Sequence, residues 1–188
     1  KIPYIIHNLD SHMGLANRMF VENAYALTLG ICDLGLKPQN GRVIVTGNPI
    51  SAKFLQYITQ NKSSGRGGKT LHLLVTGGSQ GAESINNAIG NLLPRLTELN
   101  LDIVHVTGAK TYKNFVDKYL GGAANKYANY KVLDYVHNMP ELCNWADLTV
   151  CRSGAMTIAE MSASGVVSIF VPLPWAAHDH QTLNAKAL

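Results

Sequence analysis

The chain has 188 residues, 46% of them hydrophobic and 15% charged, which is enough apolar material for a sizeable core. A net charge of +4, with Lys and Arg scattered apart from one loose cluster at 62–69, does not indicate nucleic-acid binding but allows a weak attraction to anionic substrates or membranes. Three cysteines without CxxC spacing (Cys32, Cys143, Cys151) exclude a disulfide scaffold and a zinc ribbon, and read as reduced thiols of a cytosolic protein. No apolar run is long enough to span a bilayer, and no signal peptide is present. The chain starts without Met in a strand-like run, so it reads as a piece of a longer protein.

Residues 2–6 read as a short strand, 14–21 as a helix and 24–29 as a second strand. The segment 33–40 is turn-rich, and 42–46 is a third strand that ends at Gly47-Asn48-Pro49. Pro49 pushes Asn48 toward extended geometry and marks a boundary. The domains are therefore placed at 1–46 and 47–188. Residues 51–60 follow as a helix with Phe54, Leu55 and Ile58 on one face, and 61–68 as a flexible linker. His7 and His12, in the first part, read as solvated histidines.

From Thr70 the pattern becomes regular. Strands are expected at 71–75, 102–106, 130–133, 147–151 and 166–171. Helices are expected at 82–93, 110–119, 139–145, 156–163 and from 181 onward, the first with Ile85, Ala88, Ile89 and Leu92 on its apolar side. Alternation of strands and helices predicts an α/β fold with a doubly wound parallel sheet. In such sheets ligands sit beyond the carboxyl ends of the strands, at a switch in strand order. The polar and Gly-rich clusters all fall at such ends: 77–81, 107–108, 135–138, 152–157 and 172–181.

Two of these clusters carry most of the chemistry. Gly77-Gly78-Ser79-Gln80-Gly81 lets backbone amides approach a ligand closely, with a helix start behind it to face a phosphate. It is neither a P-loop nor GxGxxG. A plain strand–helix turn capped by Ser79 is the alternative. The second cluster, Cys151 to Glu160, is a strand, a Ser-Gly turn and a helix start. Thr157 and Glu160, three apart, share a helical face, where a carboxylate could hold the vicinal hydroxyls of a ribose. Helix caps are the bland reading of the same residues. The turn Tyr135 to Met139 could offer backbone groups to a base. Arg152 could meet a carboxylate or phosphate, or a structural partner. In His178-Asp179-His180-Gln181 two histidines two apart are too few for a metal site; a polar loop whose Gln181 and Asn184 amides bind hydroxyls fits better. No catalytic triad and no paired acidic residues are visible.

Val45 to Pro49, Gly77 to Ala82, His105 to Gly108, Met139 with Ala146-Asp147, Cys151 to Thr157 with Glu160, Val171-Pro172, and His180-Gln181 with Asn184-Ala185 occur in one order. Together they resemble the bacterial glycosyltransferase family that adds N-acetylglucosamine to undecaprenyl-pyrophosphoryl-muramoyl-pentapeptide, converting lipid I to lipid II. The resemblance implies a GT-B fold of two Rossmann-like domains. The chain would hold a remnant of the first and most of the second, UDP-sugar-binding one. It implies UDP-N-acetylglucosamine as donor, lipid I as acceptor at the cytoplasmic face of the membrane, peripheral attachment, no nucleic acid, no cofactor and no metal. By position, Ser79 would meet the diphosphate, with Gly77, Gly78 and Gln80 around it, and the Val136 backbone the uracil. Ala155, Met156, Thr157, Ile158 and Ala159 would line the helix start beside the nucleotide. Glu160 would hold the ribose, and Gln181 the sugar, with Asn184 nearby. Two departures stand out: Asp10 replaces an Asn at a donor-contacting position, and Ser51 replaces an Arg near the donor phosphates. The catalytic base is expected in sequence this chain lacks. Other GT-B UDP-sugar enzymes, such as an epimerase or a natural-product glycosyltransferase, and a non-catalytic nucleotide-sugar binder stay open.

Overall fold

The computed structural model describes residues 2–31, 41–60 and 70–188, so the expected turn at 33–40, the linker at 61–68, Cys32 and the basic cluster lie outside the described residues. The chain divides into two compact units. Unit 1 comprises residues 1–51, 153–160 and 172–188; unit 2 comprises 52–152 and 161–171.

Unit 1 carries a parallel three-stranded sheet of β1 (Ile5–Asn8), β2 (Ala26–Leu29) and β3 (Arg42–Val45), in that order. Ile6, Met13, Val21, Ala24, Leu27 and Leu29 form its core. The helix α1 (Leu15–Phe20) buries none of its side chains.

Unit 2 is built on a parallel five-stranded sheet in the order β6-β5-β4-β7-β8: β4 (Leu71–Thr76), β5 (Leu101–Val106), β6 (Tyr130–Leu133), β7 (Leu148–Cys151) and β8 (Val167–Phe170). The chain winds outward from β4 to one edge and then returns to β4's other side with β7, so strand order switches between β4 and β7. The helices are α2 (Ala52–Gln60), α3 (Glu83–Leu96), α4 (Tyr112–Leu120) and α5 (Met139–Trp145). Two more, α6 (Ala155–Ser164) and α7 (His180–Lys186), follow β7 and β8 in the chain. The doubly wound α/β reading therefore holds.

Two helix faces differ from expectation. On α2, Phe54 is buried but Leu55 is exposed, and the side chain of Ile58 is outside the described residues. On α3 the buried face is Ile85, Asn86, Ile89, Gly90 and Leu93, while Ala88 and Leu92 are exposed. The inward turn of Asn86 explains the rotation. Its Nδ2 donates to the Thr107 carbonyl (2.9 Å) and to Thr111 Oγ1 (3.1 Å). That fixes its Oδ1 as the acceptor for Nε2–H of fully buried His105 (3.0 Å), so His105 Nδ1 accepts from the Tyr130 hydroxyl (2.7 Å). Gly90 lets the ring of Tyr119 on α4 come against α3, where a Cβ would stand 2.6 Å from ring carbons. The helix also runs on past Pro94 to Leu96, with the Thr97 hydroxyl bonded to the Leu93 carbonyl (2.8 Å).

Candidate functional site

In unit 2 the register aligns Thr76 with Val106, Val106 with Leu133, Thr76 with Cys151, and Cys151 with Phe170. All five strands thus end at one level. The chain leaves the two strands flanking the switch at Gly77 and at Arg152, the place where doubly wound sheets bind ligands.

The glycine turn is shaped by contact with its neighbour. A Cβ on Gly81 (φ 75°) would stand 2.1 Å from the Thr107 carbonyl oxygen, and one on Gly108 would stand 2.6 Å from the Gly81 Cα. Two backbones pack there with no room for a side chain. Gly78 (φ 80°) instead faces open space, with Ser79 and Gln80 exposed beside it. Helix α3 starts only after Ala82, and no side chain caps it. Ser79 is therefore not a helix cap, and the first amides of α3 keep their donors for another partner.

Arg152 is a structural link: its guanidinium donates to the Val171 carbonyl (3.0 Å) and to Ser84 Oγ (2.7 Å) on the first turn of α3. Burial lowers its pKa. Cys151 and Cys143 are buried, and burial pushes the Cys151 thiol up to about 11. In the turn after β6, Asn138 Nδ2 donates to Tyr57 Oη and to Glu141 Oε2, both at 2.8 Å, which anchors the segment carrying Val136.

In unit 1 the first turn of α6 presents Met156, Thr157, Ala159 and Glu160 half-buried, while Ala155 and Ile158 are buried. Burial raises the Glu160 pKa. The helix begins at Ala155, one residue ahead of expectation, with the Ile158 amide bonded to the Gly154 carbonyl (3.0 Å). Ser153 is fully buried, and among the described residues its hydroxyl has no protein partner.

Three expectations change. His7 is not merely solvated: Nε2 meets Asn48 Oδ1 (3.2 Å) and Nδ1 meets Thr28 Oγ1 (2.8 Å). His12 stacks on His178 with ring centroids 4.3 Å apart. His178 and Asp179 adopt left-handed φ of 55° and 52°, a strained backbone for side chains of this kind. Asn184 is the third. Rather than facing a sugar it is fully buried, and its amide is consumed internally. Oδ1 accepts from the Ser11 amide and hydroxyl, both at 2.8 Å, and Nδ2 donates to Asp10 Oδ1 (2.8 Å) and the Ser153 carbonyl (3.2 Å). No sequence signal separated it from Gln181, one turn earlier. Gln181 stays half-buried; its Oε1 accepts from the Leu173 amide (3.0 Å), so the amide is held by its oxygen end. Ser51 is exposed. Among the described residues no group of three His, Cys, Asp or Glu side chains is placed to hold a metal, and no helix is long and apolar enough to cross a membrane.

Residues 72–188 match the family model described as Glycosyltransferase family 28 C-terminal domain. A Lawsonia intracellularis protein named UDP-N-acetylglucosamine--N-acetylmuramyl-(pentapeptide) pyrophosphoryl-undecaprenol N-acetylglucosamine transferase is 38% identical over 189 residues, covering 100% of this chain and 51% of its own. The crystal structure of Acinetobacter baumannii MurG matches with a TM-score of 0.73 at 32% identity, over 99% of this chain and 50% of that one. The glycotransferase of kitacinnamycin shares the fold, with a TM-score of 0.57 at 19% identity over 87% of this chain and 39% of its own. The chain spans about half the length of the curated relatives it matches.

Proposed function

The chain belongs to glycosyltransferase family 28, and from that premise we propose that it is the donor-binding part of an inverting transferase. The enzyme moves N-acetylglucosamine from UDP-N-acetylglucosamine to undecaprenyl-pyrophosphoryl-N-acetylmuramoyl-pentapeptide, at the cytoplasmic face of the membrane. An acceptor hydroxyl attacks the anomeric carbon, the bond to the β-phosphate oxygen breaks, and UDP leaves. The general base comes from outside this chain, so the chain alone binds UDP without turnover.

The observation that carries this reading is the glycine turn at the strand switch, where five parallel strands end level and uncapped amides open α3. Amides at a helix start attract phosphate oxygens and neutralise part of their charge, which suits a departing diphosphate without a metal. Ser79 adds a hydroxyl donor there, with Gly77, Gly78 and Gln80 shaping the turn. The backbone at Val136 serves the uracil edge. Residues Ala155, Met156, Thr157, Ile158 and Ala159 form the helix start beside the nucleoside. The Glu160 carboxylate accepts the two ribose hydroxyls, and the Gln181 NH2 donates to a sugar hydroxyl. Asp10 and Ser51 stand where the family resemblance places donor contacts; Asp10 spends one carboxylate oxygen on Asn184.

Calorimetry of the chain with UDP tests the binding half: heat at micromolar to millimolar ligand is expected, and none at millimolar refutes it. Transfer of labelled N-acetylglucosamine to lipid I by the full-length protein tests the chemistry. Donor binding without transfer refutes the transferase in favour of a nucleotide-sugar binder.

A further inference from the structure

Two asparagines far apart in sequence hold the same short stretch of backbone in unit 1. Asn48, just after β3, donates from Nδ2 to the Leu9 carbonyl (3.1 Å) and to the Ala155 carbonyl (3.4 Å), and accepts from His7 at Oδ1. Asn184, on α7, donates to the Ser153 carbonyl and to Asp10, and accepts twice from Ser11. Each amide thus joins the segment 7–11 to a carbonyl at the start of α6, one on either side of Gly154.

The polarity of both amides is fixed by their partners. A carbonyl can only accept, so each Nδ2 must point at α6; the Ser11 backbone N–H can only donate, so Asn184 Oδ1 must point at it. Neither amide can flip without placing like groups against each other. The cost of an unmade bond is steep for Asn184, which is fully buried. Asp10 strengthens the arrangement, since an ionised acceptor makes the stronger bond to Nδ2.

We propose that Asn48 and Asn184 are paired positioning residues that set the first turn of α6, and through it the orientation of Thr157 and Glu160 toward the donor nucleoside. Neither touches the ligand. This rests on the reading that α6 meets the nucleoside, and the test separates the two. The change that probes polarity with the least change of shape is Asn184→Asp. It keeps Oδ1 for Ser11 and replaces the donating NH2 by an acceptor that faces the Ser153 carbonyl and Asp10.

The experiment is UDP binding by the full-length protein, measured by calorimetry well below the melting temperature, for wild type, N184D, N48D, D10N and the double variant D10N/N184D. N184D and N48D should weaken UDP binding by roughly tenfold while remaining folded, because a small misplacement of binding groups is costly. Measured against D10N alone, so that any direct contact of residue 10 with the donor cancels, D10N/N184D should lose less than N184D loses against wild type, since exchanging the two side chains restores one donor opposite one acceptor at that contact. An unchanged dissociation constant in folded N184D and N48D, with only a lower melting temperature, overturns the proposal. If N184D does not fold, N48D, at a half-buried position, decides alone by the same criterion. Failure of the wild type to bind UDP overturns the underlying reading instead.

Discussion

Protonation of His105 should be the main acid-sensitive event in unit 2. Its ring is fully buried, edge-on to Phe115, with Nε2–H on Asn86 and Nδ1 on the Tyr130 hydroxyl. Burial lowers its pKa from 6.5 to about 3, and the same burial raises that of Tyr130, which stays a donor. An extra proton on Nδ1 would turn the Tyr130 hydroxyl from donor to acceptor and, above all, place a charge on a ring that is shut off from water. The folded pKa is depressed, so the unfolded chain binds more protons between these limits. The stabilisation is therefore complete above about pH 6.5 and is lost as pH falls toward 3. Each pH unit in that window costs about 1.4 kcal/mol. The unfolded imidazole is only half protonated at pH 6.5, so from there to pH 4.5 the loss is about 2 kcal/mol, a sizeable part of an ordinary domain's stability of roughly 5–15 kcal/mol. Denaturant unfolding at half-unit pH steps from 7.5 to 4.5, for wild type and His105→Gln, reads it directly. The glutamine offers a donor and an acceptor but no titration, so its pH slope should be shallower by about one proton. Equal slopes, or an imidazole in the folded protein titrating near its ordinary value, would refute the argument.

The glycine turn gives a paired contrast. Gly81→Ala meets both a left-handed φ and a backbone oxygen at 2.1 Å, and should cost well over about 2 kcal/mol of stability. Gly78→Ala meets only the φ penalty, about 1 kcal/mol, in open space; thermal melts of the two variants check the difference. Ser153→Ala should leave stability unchanged or raise it by about 1 kcal/mol, because it removes a buried hydroxyl without a protein partner among the described residues. A marked drop in melting temperature would show that the hydroxyl is bonded. In the proposed site the ionised Glu160 is the stronger acceptor for two ribose hydroxyls, and burial raises its pKa. UDP affinity should therefore fall as pH drops from 7.5 to 5, and Glu160→Gln should weaken it by roughly tenfold to a hundredfold. An unchanged dissociation constant would remove Glu160 from the site.

The pattern of the chain was enough to determine its elements and their α/β class, because short apolar runs that become buried strands and the 3.6-residue repeat in helices are local properties that leave a local trace. The glycine turn and the Ser-Gly turn before α6 were legible for the same reason: few side chains tolerate such backbone. What the tertiary structure alone decided is which polar residues face inward. Asn86 and Ala88 look interchangeable as helix positions, yet Asn86 goes inside because His105 on β5 and the Thr107 carbonyl just after it complete its bonds. Gln181 and Asn184 are both amides on one short helix. One is half-buried and bonded through its oxygen to the nearby Leu173 amide, while the other is consumed by Asp10, Ser11 and Ser153, residues brought to it from distant parts of the sequence. A buried amide costs free energy unless every donor and acceptor is matched, and that matching is made in space, where the order of residues along the chain carries no record of it.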